Sequence, residues 1–401
     1  MNEFAGSFWP TARQKLLLRA ALLDGERAIT AWRSLRPELD LDEPEFAEQR
    51  LLPLVYRQLD RNGVDDPDLP RLRGLYRRTW YVNQLLLDRT KRALEVVQEA
   101  DADPLLVSSW ELPALHYADL GLRAVGRLAL LIRPELVPPA ARALSEAGWS
   151  GPLDPSESFL RSRHNAVYEA QNGDACAVYW RLFHEYTEPG RIDAEDLWEP
   201  AADFVLGDVP ARALGGADEL LNVLIAGARV NPWPSLSWIA DAMAVLRSTD
   251  TEVDWGRLLR QTRRLRATLR VHDAASFLRR ELDAEVPDEV LEELRTTRLR
   301  SREVLAHRIA ARAWGPFGAP DTVTRFLRLT AGSSFPRALG DLPTFLCDEW
   351  GLDRRSQIPA ATARKAGGMV VDAARRAKLR RDQHAERALR ADRARTSAPQ
   401  T

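Results

Sequence analysis

The chain has few of the features that cross-link a protein or attach it to a membrane. Only two cysteines, Cys176 and Cys347, occur among 401 residues, and neither belongs to a CxxC or Cys/His cluster. This argues against a disulfide framework and a structural zinc site. No apolar run is long enough to span a bilayer, and Met1–Pro10 lacks the basic and apolar segments of a leader peptide. These absences predict a cytoplasmic protein without a membrane partner.

The chain also lacks an excess of charge of either sign. Its formal net charge is −1, so the whole molecule has no polyanion-binding character. Apolar residues make up 45% and charged residues 29% of the chain, which is typical of a folded, soluble protein. A chain of this length is sufficient for two or three packed domains.

Hydrophobic periodicity predicts a mostly helical chain with one mixed segment. Residues 1–98 form an N-terminal helical region with amphipathic helices over 11–36, 45–60 and 70–99. Residues 99–190 alternate between short apolar runs and helices. We expect strands over 104–107, 128–132 and 175–182, and helices over 112–120 and 138–147. The predicted fold class is therefore α+β, with a small mixed sheet embedded in a mostly helical protein.

The second half of the chain returns to helical patterns. Residues 191–315 read as a helical domain, with helices over 218–229, 235–247, 255–284 and 287–313. Residues 316–363 carry short helices, such as 342–350, and loops. The tail, 364–401, has eleven Lys or Arg against four Asp or Glu up to Arg395. It is predicted to be partly disordered, and either a solvated extension or a segment that contacts nucleic acid or an acidic partner.

Several short segments, in a fixed order, resemble a known family. The segments are Leu51-Leu-Pro-Leu-Val-Tyr56, Tyr81-Val-Asn83, Asp218-Glu-Leu-Leu221, Ser237-Trp-Ile-Ala-Asp241 and Asp254-Trp255. Together with the strand–helix–strand segment between them, they are similar to the uncharacterised bacterial nucleotidyltransferase family, from about residue 40 to 350. The resemblance implies a polymerase-β-like core set among helices.

That family has three chemical motifs, which the resemblance leads us to expect here. A Leu-Lys-Gly element follows the first core strand, an Asp-x-Asp lies on the second, and a later strand reads roughly Asp-Leu-His-Trp. Side chains at i and i+2 on a strand point to the same face. Two carboxylates there hold Mg²⁺, which bridges triphosphate oxygens. The strand-to-helix turn supplies backbone N–H groups for the phosphates.

This chain departs from the family pattern at every one of these motifs. The lysine and glycine are replaced by Ser108 and Ser109, and the Asp-x-Asp by Arg127 and Ala129. In the third motif the carboxylate is replaced by Ala177 and the histidine by Tyr179. The framework around the motifs is retained, at Arg123, Leu130, Leu131, Trp180 and Leu182. We therefore interpret the six replaced positions as a degenerate site: Ser108, Ser109, Arg127, Ala129, Ala177 and Tyr179.

The resemblance and its departures predict a pseudoenzyme with an accessory role that binds a partner or an anion. Members of the family often occur beside biosynthetic or peptide-modification genes. A guanidinium at the metal position repels a dication by several kcal/mol at ~4 Å separation, so we expect no metal site and no cofactor. Arg123 and Arg127 are candidate anion-binding residues, although Arg127 could equally pair with an acidic neighbour and fill the vestigial site.

Two alternative functions stay open. The chain could be an active transferase of the family that uses an atypical site, in which case Mg²⁺ and a nucleoside triphosphate are expected. It could also be a helical scaffold whose basic tail binds nucleic acid.

Three further groups of polar residues received plainer interpretations. Asp101 and Asp103 read as a solvated acidic loop, because they precede Pro104 rather than lie on the strand. Adjacent residues on an extended segment face opposite ways, so His184 and Glu185 are not expected to act together. We expect His116 to be a partly exposed histidine on a helix face.

Overall fold

The computed structural model describes residues 9–186 except 43 and 45, and residues 195–227, 236–311, 321–365 and 368. Within these ranges the helices are α1 (Ala12–Leu22), α2 (Gly25–Leu35), α3 (Phe46–Gln49), α4 (Leu52–Arg61), α5 (Leu69–Glu99), α6 (Val137–Glu146), α7 (Glu157–Ser162), α8 (Glu195–Trp198), α9 (Gly216–Gly227), α10 (Ser237–Arg247), α11 (Trp255–Arg264), α12 (Thr268–Leu282), α13 (Asp288–Thr296), α14 (Ser301–Ala311), α15 (Asp321–Leu329) and α16 (Phe335–Trp350). The strands are β1 (Leu105–Leu106), β2 (Leu128–Leu131), β3 (Asn165–Glu169), β4 (Ala175–Tyr179), β5 (Ala202–Leu206) and β6 (Val209–Ala213).

The strands form one six-stranded mixed sheet in the order β3-β4-β2-β1-β6-β5. The two central strands, β1 and β2, are antiparallel, while β2 runs parallel to β4 and β1 parallel to β6. The hairpins β3–β4 and β5–β6 complete the two edges. This arrangement confirms the predicted α+β class, with a small sheet in a mostly helical chain.

Alternation along the central strands gives the sheet two distinct apolar faces. Leu106, Leu128 and Leu130 pack in a large cluster with residues of α5 and α6. The alternate residues of the same two strands, including Leu105 and Ala129, belong to a smaller cluster that contains Leu197 and Trp198 of α8. Because side chains at i and i+2 share a face, every second residue of these short strands is committed to one of the two clusters.

A third and larger apolar core lies among the helices. It is built from residues of α1, α2, α4, α9, α10 and α12, with Trp32 and Phe277 fully buried in it. Apolar side chains recur on one face of α2, as the periodicity predicted, whereas α9 is buried on all sides from Gly216 to Ile225. None of the helices in the described ranges is both long and apolar enough to cross a membrane.

Three predicted helices are divided, two of them where the backbone turns into the left-handed region. The helix expected over 11–36 is two helices, because Gly25 has φ +60° directly after an extended Asp24. The stretch 255–284 is divided at Arg266, with φ +54°, and 287–313 is divided between α13 and α14. Hydrophobic periodicity alone did not reveal these breaks, because the apolar face continues across them.

Two hairpins were missing from the prediction. Strands β3 and β4 are joined by a turn with Asn172 and Gly173, and strands β5 and β6 by a turn at Gly207, with φ of +85° and +68° at the two glycines. Turn residues between alternating runs are the usual sequence signal for a hairpin, and Asn172-Gly173 and Gly207 are such residues. The second hairpin lies in a range where we expected helices only.

Other predicted elements differ in length or fall outside the description. The helix expected over 112–120 is a single π-helical turn, Leu112–His116, while α16 is much longer than the predicted 342–350 and contains Pro343. The ends of the helices predicted over 218–229 and 287–313 lie outside the described residues, as does nearly all of the basic tail.

Asn83 fixes the connection between the predicted site and α5. Its side chain is fully buried. The amide nitrogen donates to the carbonyls of Leu120 (2.6 Å) and Arg123 (2.8 Å), and the amide oxygen accepts from the N–H of Val125 (3.0 Å). One side chain therefore satisfies three backbone groups in the segment that enters β2.

We expect Asn83→Ala to lower the free energy of unfolding by about 3 kcal/mol, because three buried backbone groups lose their partners. Urea denaturation measures the change. Gln84→Ala is the matched control, since it removes a neighbouring amide on the same helix that is only half-buried. Equal effects of the two substitutions would contradict this account of Asn83.

Candidate functional site

The sheet brings the predicted metal positions together. Ala129 on β2 lies directly opposite Ala177 on β4 in the parallel pairing of these strands. Arg127 and Tyr179 are two residues away from them, and alternation places all four on the same face. The guanidinium of Arg127 donates to the Tyr179 hydroxyl at 2.9 Å, which agrees with this placement. The four positions that the resemblance assigned to one site therefore converge.

This face of the sheet is filled with hydrocarbon at its centre. Ala129 and Ala177 are 4% and 0% exposed. They pack in the cluster with Leu105, Val107, Leu131, Leu197, Trp198 and Leu214. No oxygen ligand is contributed by the side chain at either position. Where the resemblance leads us to expect two carboxylates, the protein has two methyl groups in an apolar cluster.

Arg127 lies at the open margin of this cluster. Its side chain is exposed, and Tyr179 is its hydrogen-bond partner. Within the described ranges no carboxylate forms an ion pair with Arg127. The pairing of Arg127 with an acidic neighbour is not seen among those residues, where its guanidinium donates to the Tyr179 phenol instead.

The turn after β1 has its polar groups engaged within the protein. Ser108 has φ +54°, and its hydroxyl accepts from the Asn222 amide of α9 at 3.0 Å. The backbone N–H of Ser109 donates to both carboxylate oxygens of Glu111, at 2.8 and 3.1 Å. The Ser109 hydroxyl is within 3.2 Å of Glu111 and 3.3 Å of the Ala129 carbonyl. The family pattern suggests that this turn binds phosphate. Here the Ser109 N–H donates instead to the internal carboxylate of Glu111.

Arg123 is engaged in a buried ion pair. Its Nε and Nη2 atoms donate to the two carboxylate oxygens of Asp241 on α10, at 3.1 and 3.2 Å. Its Nη1 atom donates to the Ser109 carbonyl at 3.3 Å, and the Tyr117 hydroxyl donates to the same carboxylate at 2.9 Å. Burial opposes the charge of Arg123, but Asp241 more than offsets it, so the pKa of Arg123 is raised. In this conformation its guanidinium serves Asp241 rather than an external anion.

Two glutamates next to this ion pair were missed in the sequence. Glu111 and Glu219 of α9 are both fully buried. Burial raises the pKa of Glu111 to about 7, while Arg123 and the Ser109 hydrogen bonds act against this shift. Burial, together with the charge of Glu111, raises the pKa of Glu219 well above its ordinary value. The Asn222 amide favours the anion, but neither oxygen of Glu219 has a partner in regular hydrogen-bond geometry in the described part of the protein.

No signal in one sequence separates Glu111 from a solvated glutamate. Glu219 does lie in the Asp218–Leu221 segment that carries the family resemblance, as Asp241 lies in another such segment. The apolar residues on both sides of Glu219 could have indicated a helix buried all round. Among the residues that the structure describes, no group of three or more His, Cys, Asp or Glu side chains is arranged to hold a metal ion.

The remaining polar candidates are dispersed. Asp101 and Asp103 are exposed, and Asp103 forms ion pairs with Arg133 and Arg212 at 3.3 and 3.0 Å. His116 is 8% exposed rather than partly exposed as predicted. Its Nδ1 atom lies 3.4 Å from the Thr251 hydroxyl, and burial lowers its pKa to about 4.

His184 and Glu185 turn to different partners. The His184 ring stacks on His164 with 3.5 Å between centroids. Burial and this second imidazole lower the pKa of His184 to about 3. Glu185 lies 3.5 Å from the Arg270 guanidinium instead.

Comparisons with known proteins give one match of substantial extent. The family described as "Uncharacterised nucleotidyltransferase" matches residues 46–283. Among solved structures, an antigenic nucleotidyltransferase-like protein from Paracoccidioides brasiliensis is similar, with 9% identity and a TM-score of 0.33, covering 52% of this chain and 95% of its own. No curated protein matches the chain.

The buried glutamates predict a pH dependence of stability. In the unfolded chain a glutamate loses its proton above about 4.5, whereas folded Glu111 keeps it to about 7, and Glu219 also has a raised pKa. The folded state therefore binds more protons in this range, and its stability falls as the pH rises from about 4.5 to 7 and beyond. We expect Glu219→Gln to reduce this fall, because the amide does not ionise.

The measurement is the free energy of unfolding in urea at pH 5 and pH 8. Glu219→Gln should differ little from the parent protein at pH 5 and be the more stable of the two at pH 8. The exposed Glu285→Gln is the control and should leave the difference between the two pH values unchanged. An identical pH dependence in Glu219→Gln would show that this carboxyl is not the protonated group.

Proposed function

The chain belongs to the uncharacterised nucleotidyltransferase family, and we propose that it is a catalytically inactive member that binds a partner or an anionic ligand. The observation that carries this proposal is the direct pairing of Ala129 with Ala177 inside an apolar cluster. Mg²⁺ requires oxygen ligands and gives up its water reluctantly. Two methyl groups offer no ligand, and the neighbouring guanidinium of Arg127 repels a dication.

The turn after β1 supports the same proposal, because its N–H group is not free to bind a phosphate. A phosphate at such a turn is held by backbone N–H groups that are free to donate. Here the Ser109 N–H already donates to Glu111. A triphosphate would have to displace a buried carboxylate and leave it without its partners, which costs more than an ordinary hydrogen bond contributes. The internal carboxylate therefore competes with the substrate group that this turn would otherwise bind.

Of the two candidate anion-binding residues, Arg127 is the better placed. Arg123 would have to give up Asp241, and separating a buried ion pair is costly. Arg127 is exposed and has a neutral phenol as its partner, so its charge is available to a carboxylate or phosphate. A cytoplasmic, accessory role in a biosynthetic or peptide-modification pathway of a bacterium is part of this proposal and rests on the family resemblance.

The main alternative, an active transferase with an atypical site, is favoured by one observation. Three carboxylates, those of Glu111, Glu219 and Asp241, lie around the Ser108–Ser109 turn. However, Asp241 is neutralised by Arg123, and Glu111 accepts the Ser109 N–H. Glu219 is 0% exposed. We therefore rank this alternative second, and the nucleic-acid-binding tail remains a prediction on residues outside the described ranges.

Titration calorimetry with ATP, CTP, GTP and UTP, each with and without Mg²⁺, tests the proposal. We expect no metal-dependent binding, because no oxygen ligands replace the lost carboxylates. Any binding that does not need the metal should weaken in Arg127→Gln and persist in Arg127→Lys. Metal-dependent binding of any of the four nucleotides would sink the proposal and favour the atypical active site.

Restoring the carboxylates tests the assignment of the site itself. The triple variant R127D/A129D/A177D should be destabilised without metal, because an unpaired carboxylate at position 129 or 177, inside the apolar cluster, costs several kcal/mol. Mg²⁺ should then raise its melting temperature, while leaving that of the parent protein unchanged. The matched control is R127N/A129N/A177N, which has similar side-chain volumes and no charge. A triple aspartate variant that is folded but insensitive to Mg²⁺ would place the alignment of these positions in doubt.

A further inference from the structure

The N-terminal half of α5 exposes a group of large apolar side chains to solvent. Trp80, Tyr81, Val82 and Leu85 are 45%, 59%, 47% and 38% exposed. Of these, Tyr81 and Leu85 lie four residues apart on the same side of the helix, and Trp80 and Val82 flank them. Single exposed apolar residues need no explanation, but a contiguous patch marks an interaction surface. Trp and Tyr are also the residue types that contribute most to binding at interfaces.

The patch continues into a stripe along the outward side of the helix. At roughly 100° per residue, Gly74, Arg77, Tyr81, Leu85 and Asp88 lie on one side of α5, opposite the buried Asn83 and Leu87. Their spacing of three and four residues is that of a seam between two packed helices. A side chain added at Gly74 would meet nothing within 4 Å, so this side of the helix is open.

The stripe carries charges of both signs. Arg77 is exposed and, in the described part of the chain, forms no ion pair. The Asp88 side chain is 80% exposed, and its neighbour Lys91 is 3.8 Å away, which makes this a weak surface pair. Arg77 therefore lies at one end of the apolar patch and Asp88 at the other.

This order of charges is complementary to itself in the antiparallel direction. If two copies of α5 cross antiparallel about a point between Val82 and Asn83, residues equally far from that point come opposite each other. Arg77 of one copy then lies opposite Asp88 of the other, and the pair occurs twice by symmetry. Trp80 comes level with Leu85, and the two Tyr81 side chains lie near the centre. The contact is isologous, as in most two-fold dimers.

We propose that a second copy of this chain docks on the outward stripe of α5, forming a two-fold dimer with antiparallel helices. The apolar patch supplies the buried centre, and the two Arg77–Asp88 pairs fix the direction. One helix on each side is a small interface compared with the roughly 800 Å² per partner of a standard one. The dimer should therefore dissociate in the micromolar range. The proposal does not depend on whether the sheet is catalytic.

A nucleic acid or an acidic partner fits the stripe less well. Phosphates are bound by surfaces of one sign, and Asp88 would repel them. Val82 and Leu85 offer no stacking surface to bases. A second copy satisfies both charges and both kinds of apolar residue with a single operation.

Sedimentation velocity of the full chain over a wide range of concentrations tests the proposal. The parent protein should convert from monomer to dimer, and Tyr81→Glu should remain monomeric. Tyr81 is exposed, so this change leaves the monomer folded, which circular dichroism verifies. Leu153→Glu, at another exposed apolar residue (57% exposed), should leave the dimer intact. Val205→Glu, on the edge strand β5, tests the rival pairing through the sheet and should also have no effect.

The charge pairs allow a second test that depends on direction. Arg77→Asp and Asp88→Arg should each weaken self-association by about tenfold, because each places like charges opposite each other at both ends. An equimolar mixture of the two variants should recover the parent affinity, since the mixed dimer restores two attractive pairs. Recovery in the mixture would be difficult to explain by any surface that is not isologous and antiparallel.

Three results would overturn the proposal. A parent protein that stays monomeric at the highest concentration has no such dimer. A dimer that persists in Tyr81→Glu but is lost in Val205→Glu uses the sheet edge instead. A monomer that binds a single-stranded oligonucleotide through α5, with binding lost in Tyr81→Glu, would show that the stripe serves a different kind of partner.

Discussion

The buried ion pair between Arg123 and Asp241 is the constraint on which the site depends. It joins the segment before β2 to α10, and so ties the sheet to the helical half of the chain. The two side chains are only 15% and 7% exposed. Removing one member would leave a buried charge without its partner, at a cost of about 3–5 kcal/mol. The backbone of Arg123 is held at the same time by Asn83 of α5, so three parts of the chain meet at this residue.

The same interactions determine what the site cannot do in its present form. Arg123 also donates a hydrogen bond to the Ser109 carbonyl, and the Ser109 N–H donates to Glu111. The polar groups of this turn and of Arg123 thus serve other parts of the protein. Displacing any one of them leaves its partner buried and unsatisfied, so the penalties add around the network. Ala129 and Ala177 offer no oxygen ligand to a metal ion that could compensate for such a rearrangement.

Much of the fold could be predicted because its signals are local. The long amphipathic pattern of α5 and the apolar runs of β1 and β2 predict these elements to within one residue of their ends, whereas the run of β4 predicts three residues beyond Tyr179 that the strand does not include. The strands β3, β5 and β6 were missed because each is short and half-exposed, so that alternation over five residues is weak evidence without the turn glycines. Helix breaks at Gly25 and Arg266 depend on a positive φ at one residue, which an uninterrupted apolar face conceals.

Part of the candidate site could likewise be predicted from the sequence, and part could not. The convergence of Arg127, Ala129, Ala177 and Tyr179 follows from strand pairing, and a family resemblance along the chain is sufficient to predict it. The partners of Arg123 and Ser109 are not predictable in this way, because Asp241 lies 118 residues from Arg123. Whether Glu219 is buried depends on three packed elements rather than on its own neighbours. Sequence patterns identify which groups were lost from a site, whereas only packing shows which groups took their place.

Helix α5 relates this rearranged site to the surface of the molecule. Its inner side holds Asn83 against the segment before β2, and further along the Thr90 hydroxyl accepts the indole N–H of the buried Trp110 at 3.3 Å. Its outer side, one half-turn away, carries the exposed Tyr81. A contact made on the outer side does not have to disturb any buried hydrogen bond on the inner side, because the two sides share only the helix backbone. The helix can therefore support binding by its outer surface while the hydrogen bonds on its inner side stay in place.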